Sequence, residues 1–260
     1  MSYEAFAEKL KTNDTVVFEP SGHPFFPALT FYPGFAWSVW KSYNKPVAET
    51  YYNSLGVLHA CLRSGVRVEV SGLKHLQNLK LDENSAPIIV GNHMSSLETI
   101  LLPCILFPFY VSTFVMKEEL LKYPVFGKVL SGMKPVTVGR KNPKEDLVEV
   151  MKRGREIVCE EGRALIIFPQ STRHSEFKPD EFNSLATRLA KKTKVPLIPL
   201  ALKTDFWGNG KIIKDLGKIS PAKTVHFEFS EPVIVENTKV EHQKVIDFIQ
   251  NCLKKWNAST

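Results

Sequence analysis

The chain has 260 residues, of which 43% are apolar and 23% charged. That composition excludes a disordered, collagen-like or repeat-built chain and leaves one medium domain with at most a small appendage. Its 34 Lys and Arg against 27 Asp and Glu give a net charge of +7, which points to an anionic partner, whether nucleic acid, a membrane surface or a phosphorylated substrate. Cys61, Cys104, Cys159 and Cys252 lie far apart with no CxxC pair. With no secretory signal across Met1 to Lys11 they read as reduced thiols facing the cytosol, not as a disulfide framework or a four-Cys zinc site.

Residues 1–64 are expected to form a helical arm. Phe25, Phe26, Phe31, Trp37 and Trp40 crowd beside Lys41 and Lys45, and Pro24, Pro27, Pro33 and Pro46 cut the segment into short pieces. Rings beside lysines suit a helix lying in a bilayer interface, and they also suit an arm packed on a domain. A boundary near Ser64 to Val66 then opens an α/β body over residues 65–260.

Strands are predicted at Val66 to Val70, Pro87 to Val90, Val111 to Val115, Pro135 to Val138, Ala164 to Phe168, Pro196 to Ala201 and Val225 to Phe229. The longest apolar run, Thr99 to Met116, contains Pro103 and Pro108, so it reads as a buried helix, a turn and a core strand, not as a membrane span. Helices are predicted over Pro143 to Glu160, with Asn142 as N-cap and Gly162 closing it, over Pro179 to Lys192, and over Val240 to Trp256.

Two polar turns follow buried strands. After PIIV comes Gly91-Asn92-His93-Met94-Ser95-Ser96-Leu97-Glu98. A carboxylate five residues after a histidine can hold one ring nitrogen and leave the other to take a proton, a base and its orienter. Alone, the pair also fits a structural turn histidine. After ALIIF comes Pro169-Gln170-Ser171-Thr172-Arg173, and ligands gather at the carboxyl edge of open α/β sheets. Arg173 could grip a phosphate there, assisted by Thr172. Lys117 and Arg140 each follow a candidate strand and face the same edge. Val195-Pro196-Leu197-Ile198-Pro199-Leu200 is apolar and architectural, while Thr204 to Gly210 reads as a surface turn or a loop in which Asp205 or Trp207 touches substrate.

In this order, Asn92-His93 with Glu98, Lys117 with Arg140, FPQSTR at Phe168 to Arg173, and VPLIPL at Val195 to Leu200 resemble the blocks of the PlsC-like lysophospholipid acyltransferases. The resemblance implies a glycerol-phosphate acyltransferase type of α/β sheet flanked by helices, with an N-terminal aromatic helical arm on the membrane. It implies acyl transfer from a thioester, on coenzyme A or acyl carrier protein, to the free hydroxyl of 1-acyl-sn-glycerol-3-phosphate. No cofactor or metal, and no nucleic acid, enters that reaction. His93 is then the general base and Glu98 its orienter, while Arg173, Thr172, Ser171, Gln170, Lys117 and Arg140 bind substrate. The implied location is the cytoplasmic face of the cell membrane, peripheral or monotopic. The chain departs from the family pattern where Glu98 replaces the usual Asp, Gln170 and Ser171 replace Glu and Gly, and Lys134 stands where Gly is common.

Three rivals are weighed against this reading. A hydrolase would use Ser95 or Ser96 as nucleophile, outside any GxSxG turn. A metal site would have to join His93, Glu98 and His174 without HExxH. A non-catalytic basic protein binding membranes or nucleic acid leaves the His and Glu spacing without a purpose, and acylation of a different lysolipid remains an alternative within the family.

Overall fold

The computed structural model describes residues 1–170, 172–208, 210 and 216–258. The chain opens with α1 (Tyr3–Thr12), capped by Ser2, whose hydroxyl accepts from the Ala5 amide, and a short strand β1 (Val16–Phe18). Two helices follow, α2 (Pro27–Lys41) and α3 (Val47–Arg63). They cross through small residues: Gly56 faces Ser38, and a Cβ added to Gly34 would sit 2.9 Å from Ala60 Cβ. The two backbones therefore approach more closely than larger side chains allow.

The body continues with β2 (Val68–Ser71), α4 (Lys74–Gln77), β3 (Ile88–Gly91), α5 (Leu97–Leu106), β4 (Ser112–Lys117), α6 (Phe126–Gly132) and β5 (Val136–Val138). It ends with α7 (Pro143–Cys159), β6 (Ala164–Ile167), α8 (Leu185–Thr193), β7 (Leu197–Lys203), β8 (Val225–Phe229) and α9 (Thr238–Ala258). One sheet runs in the order β1-β2-β8-β7-β3-β6-β4-β5. Its centre, from β7 to β5, is parallel, and β8 runs against β7.

The parallel strands are buried on both faces, so their sequences read as unbroken apolar runs. Alternation still sorts them. Ile89, Ile166, Ile198, Leu200 and Leu202 face a core shared with α2, α3 and α5, whereas Ile88, Val90, Leu165, Ile167 and Leu197 face a second core under α7, α8 and α9. All the parallel strands end on one edge, which collects the turns after β3, β4, β5, β6 and β7.

The 1–64 segment enters this architecture more deeply than a helical arm does. Its β1 pairs antiparallel with β2, Val17 opposite Glu69, so it lengthens the sheet by one strand. The inner face of α2 docks through Phe31, which meets Trp207 at 4.9 Å and Phe206 at 5.6 Å between ring centroids. Its outer face leaves Leu29 73%, Trp37 56% and Trp40 60% exposed, and Phe25, just before the helix, is 91% exposed. No helix among the described residues is long and apolar enough to cross a membrane.

Most elements shift by one or two residues from the sequence expectation, β2 starting at Val68 and β4 running on to Lys117, and three shifts have a visible cause. The helix expected from Pro179 is a 3-10 turn over Pro179–Glu181, and α8 starts only at Leu185. Asn183 separates them, because its side chain accepts from the Leu185 amide and donates to the Pro169 carbonyl. The strand expected to end at Ala201 runs to Lys203, where it pairs with His226 of β8. The last helix begins two residues early, at Thr238, because Asn237 Oδ1 accepts from the Lys239 and Val240 amides.

The α9 packing makes a pH prediction. His226 stacks flat on Trp256, at 4.6 Å between ring centroids and 9° between planes. Burial first, then the charges of Lys203, Arg67 and Lys255, push its pKa from 6.5 down to about 4. The unfolded chain therefore binds this proton more readily than the folded one, so stability is fully present above pH 6.5 and is lost as pH falls towards 4. His226→Gln is expected to flatten the fall in stability between pH 7 and 4.5 by about 2 kcal/mol, after discounting for the ring's partial exposure. Denaturant titrations with equal slopes against pH for the two proteins would refute it.

Candidate active site

The turn after β3 folds back so that Glu98, in the first turn of α5, sits under His93. His93 Nδ1 lies 3.0 Å from Glu98 Oε1, which also accepts from the Met94 amide at 2.6 Å and the Ser95 amide at 2.8 Å. Oε2 accepts from Ser95 Oγ at 2.9 Å and from Thr204 Oγ1 at 2.7 Å. Burial by itself would raise this carboxyl, but hydrogen bonding and charge from His93, then the bonds from Thr204 and the Ser95 amide, hold it below its usual range.

A carboxylate can only accept, so His93 Nδ1 carries the proton and Nε2 is left as the basic nitrogen. The His93 side chain is 17% exposed and Glu98 is sealed at 0%, so a substrate meets the base and not the acid. The imidazole lies flat on Phe168, 4.6 Å away with 4° between planes, which fixes the ring's plane. Gln170 Oε1 accepts from the His93 amide at 3.3 Å, and the His93 carbonyl accepts from the His174 amide at 3.0 Å. The turns after β3 and β6 thus brace each other.

Asn92 is the pin between β3 and β7. Its amide donates to the Leu202 carbonyl and accepts from the Leu202 amide, both at 2.8 Å. Two residues on, just past the end of β7 and in phase with Leu202, Thr204 reaches Glu98. Neither Thr204 nor Phe168 is legible as a partner of the dyad from motif spacing. The signal lies in the alternation: Leu200, Leu202 and Thr204 share the face turned to α5.

Arg173 comes to the same place. Its guanidinium donates to Ser96 Oγ, and Ser96 is the N-cap residue of α5. A cation, a hydroxyl and a helix N-terminus thus meet beside His93, a constellation suited to an anion. Gln170 is buried and serves the His93 backbone, while Thr172 is exposed next to Arg173. Ser171 lies outside the described residues.

Lys117 ends β4 and Arg140 follows β5, the last two strands at one end of the sheet. At about 4.8 Å per strand they stand roughly 10 and 14 Å from β3, on the dyad's edge but beyond reach of its immediate surroundings. The backbone amides of Gly139 and Arg140 bind the Asp146 carboxylate, at 3.0 and 2.8 Å, which fixes that turn to α7. Lys134 has φ 47°, a conformation that favours glycine, which accounts for the glycine usual there in the resembling family.

The rival constellations come apart. Ser95 donates to Glu98 and accepts from the Leu97 amide at 3.1 Å, so its hydroxyl is occupied in holding the acid. His174 turns away, its Nε2 lying 2.8 Å from Glu181. Trp207 is buried against the aromatic face of α2, and Asp205 pairs with Lys223 at 2.5 Å. Of the two readings of that loop, the surface turn fails at Trp207, which is buried in docking the arm, and Asp205 is tied to Lys223.

A family model described as Acyltransferase matches residues 67–203. A 1-acyl-sn-glycerol-3-phosphate acyltransferase of Pseudomonas aeruginosa is 32% identical over 138 residues, 53% of this chain and 50% of that protein. A protein of the same description from Saccharomyces cerevisiae is 27% identical over 117 residues, 44% of this chain and 38% of that one. The chain thus spans half or less of the length of these relatives. Among solved structures, the 1-acyl-sn-glycerophosphate acyltransferase PlsC of Thermotoga maritima superimposes with a TM-score of 0.60 at 18% identity, over 89% of this chain and 95% of that one. That likeness establishes the common fold.

Proposed function

This chain belongs to the Acyltransferase family, and on that premise we propose that it moves a fatty acyl group from a thioester to the free hydroxyl of a lysophospholipid. The acceptor is 1-acyl-sn-glycerol-3-phosphate and the product phosphatidate. The observation that carries the reading is the His93 Nδ1 to Glu98 bond, which leaves a basic Nε2 at the surface of a turn whose acid is sealed.

His93 Nε2 takes the proton of the glycerol hydroxyl as its oxygen attacks the thioester carbonyl. The tetrahedral intermediate collapses, the carbon–sulfur bond breaks, and the thiolate leaves with the proton from the imidazolium. Glu98 stabilises that imidazolium while it exists. The thioester, on coenzyme A or acyl carrier protein, is a co-substrate, and the reaction calls for no cofactor. Arg173 and the N-terminus of α5 take the acceptor's phosphate, with Thr172 beside them, while Lys117 and Arg140 attract anionic groups along the outer edge.

Both substrates carry long apolar chains. A narrow cavity lined by residues of α2, α3, α5 and α6, including Thr99, Ile100 and Leu130, lies along α5 from the residue after Glu98. Its interior holds about 20 Å³, room for little more than a water, so an acyl chain entering there must part the helices. The exposed rings of α2 beside Lys41 hold the protein at the cytoplasmic face of the cell membrane without spanning it.

The test is acyl transfer in detergent micelles, with a panel of lysolipids and both thioester donors, for wild type beside His93→Ala. Phosphatidate formed by wild type alone supports the proposal. Acylation of a different lysolipid keeps the reaction and changes the acceptor, for which Gln170 and Ser171 are the first residues to examine. A folded, vesicle-binding protein inert with the whole panel is a binding protein and overturns it.

A further inference from the structure

We infer that Thr204 is a positioning residue for the dyad, and that it is what allows a glutamate to serve at position 98. The inference rests on the acyltransferase reading above. Five hydrogen bonds converge on Glu98. Four come from residues 93–95, the same turn that carries the base, and they orient the carboxylate only relative to that turn. Thr204 alone among the five donors lies outside that turn. It follows β7, whose register against β3 is locked by the Asn92 and Leu202 pair, and its hydroxyl ties Oε2 to the sheet.

The side chain of Thr204 has no other visible employment. It is fully buried, and a valine would fill nearly the same volume. Yet a buried hydroxyl is costly unless bonded, and here it gives its proton to a charged acceptor at 2.7 Å. An aspartate at position 98 would be shorter by one methylene, about 1.5 Å. Held to His93, it would fall short of Thr204. The longer side chain reaches both, so Glu98 and Thr204 act as a pair.

Thr204→Val, Thr204→Ser and Glu98→Asp, with the Val and Asp changes also combined, separate these roles. Thr204→Val is expected to lower kcat about ten-fold, the effect of leaving one buried acceptor lone pair unmet, with the acceptor KM unchanged. Thr204→Ser should recover kcat to within about two-fold. In the Glu98→Asp background the valine should add less than a two-fold loss, because the contact is already gone. An unchanged kcat in Thr204→Val, a loss confined to KM, or the same ten-fold loss in both backgrounds overturns the inference. Thr204→Ala serves if the valine variant does not fold.

A second readout needs no substrate. The His93 Nδ1 proton resonance in NMR should move or broaden in Thr204→Val and return in Thr204→Ser. If wild type transfers no acyl group, the reading above has failed, and this resonance alone decides the role of Thr204. An unmoved resonance overturns it.

Discussion

His93→Ala is expected to reduce acyl transfer by about 1,000-fold or more, while the protein stays folded and binds anionic vesicles as wild type does. The magnitude follows from general base catalysis, which contributes about 100- to 10,000-fold, applied to a hydroxyl nucleophile that is inert until its proton has somewhere to go. The fold should tolerate the change, because the imidazole is one of several donors to the acid. Glu98 keeps the Met94 and Ser95 amides, Ser95 Oγ and Thr204 when the ring is removed. The backbone of position 93 keeps its bonds to Gln170 and to the His174 amide. The result is read by thioester cleavage coupled to lipid product, beside vesicle flotation and circular dichroism. Equal loss of flotation would tie His93 to membrane binding and remove it as base. Full activity would hand the proton to another group, and Ser95 is no candidate, since its own proton is on Glu98.

How much of this was legible in the sequence depended on whether the signal was local. The His93 and Glu98 pair is carried by one turn of chain, and its spacing fixes its geometry. The strands β3, β6 and β7 show themselves because burial on both faces makes them uniformly apolar. Thr204 is invisible by the same logic: its meeting with Glu98 joins residues 106 apart in sequence and depends on the crossover that places β7 beside β3. The antiparallel strand β1 escapes notice because three residues, Val16–Phe18, carry too short an alternation to read. The aromatic arm was ambiguous for a different reason. Phe31 and Trp37 are equally apolar, and only the helical phase of α2 around Trp207 sends one inward and the other to solvent.

Arg173→Ala is expected to lower kcat/KM for the lysophosphatidate acceptor by about 2 kcal/mol or more, roughly 30-fold, with most of the loss in KM. The guanidinium is half-buried and already oriented by its bond to Ser96 Oγ. Little rotamer entropy is therefore spent when a phosphate arrives, and the N-terminus of α5 adds to the same field. A bracing role would look different. If Arg173 served only to hold the turn after β6 against α5, Ser96→Ala would reproduce the Arg173→Ala defect, and the defect would appear in kcat with every acceptor. If it binds phosphate, Ser96→Ala costs far less. Arg173→Lys then restores only part of the affinity, because an ammonium lacks the planar fork that meets two phosphate oxygens at once. An acceptor without a phosphate should also be indifferent to Arg173→Ala, since there is then no anion for the side chain to meet. Steady-state kinetics with matched phosphorylated and unphosphorylated lysolipids separate the two roles, and unchanged acceptor kinetics in Arg173→Ala would remove Arg173 from the phosphate site.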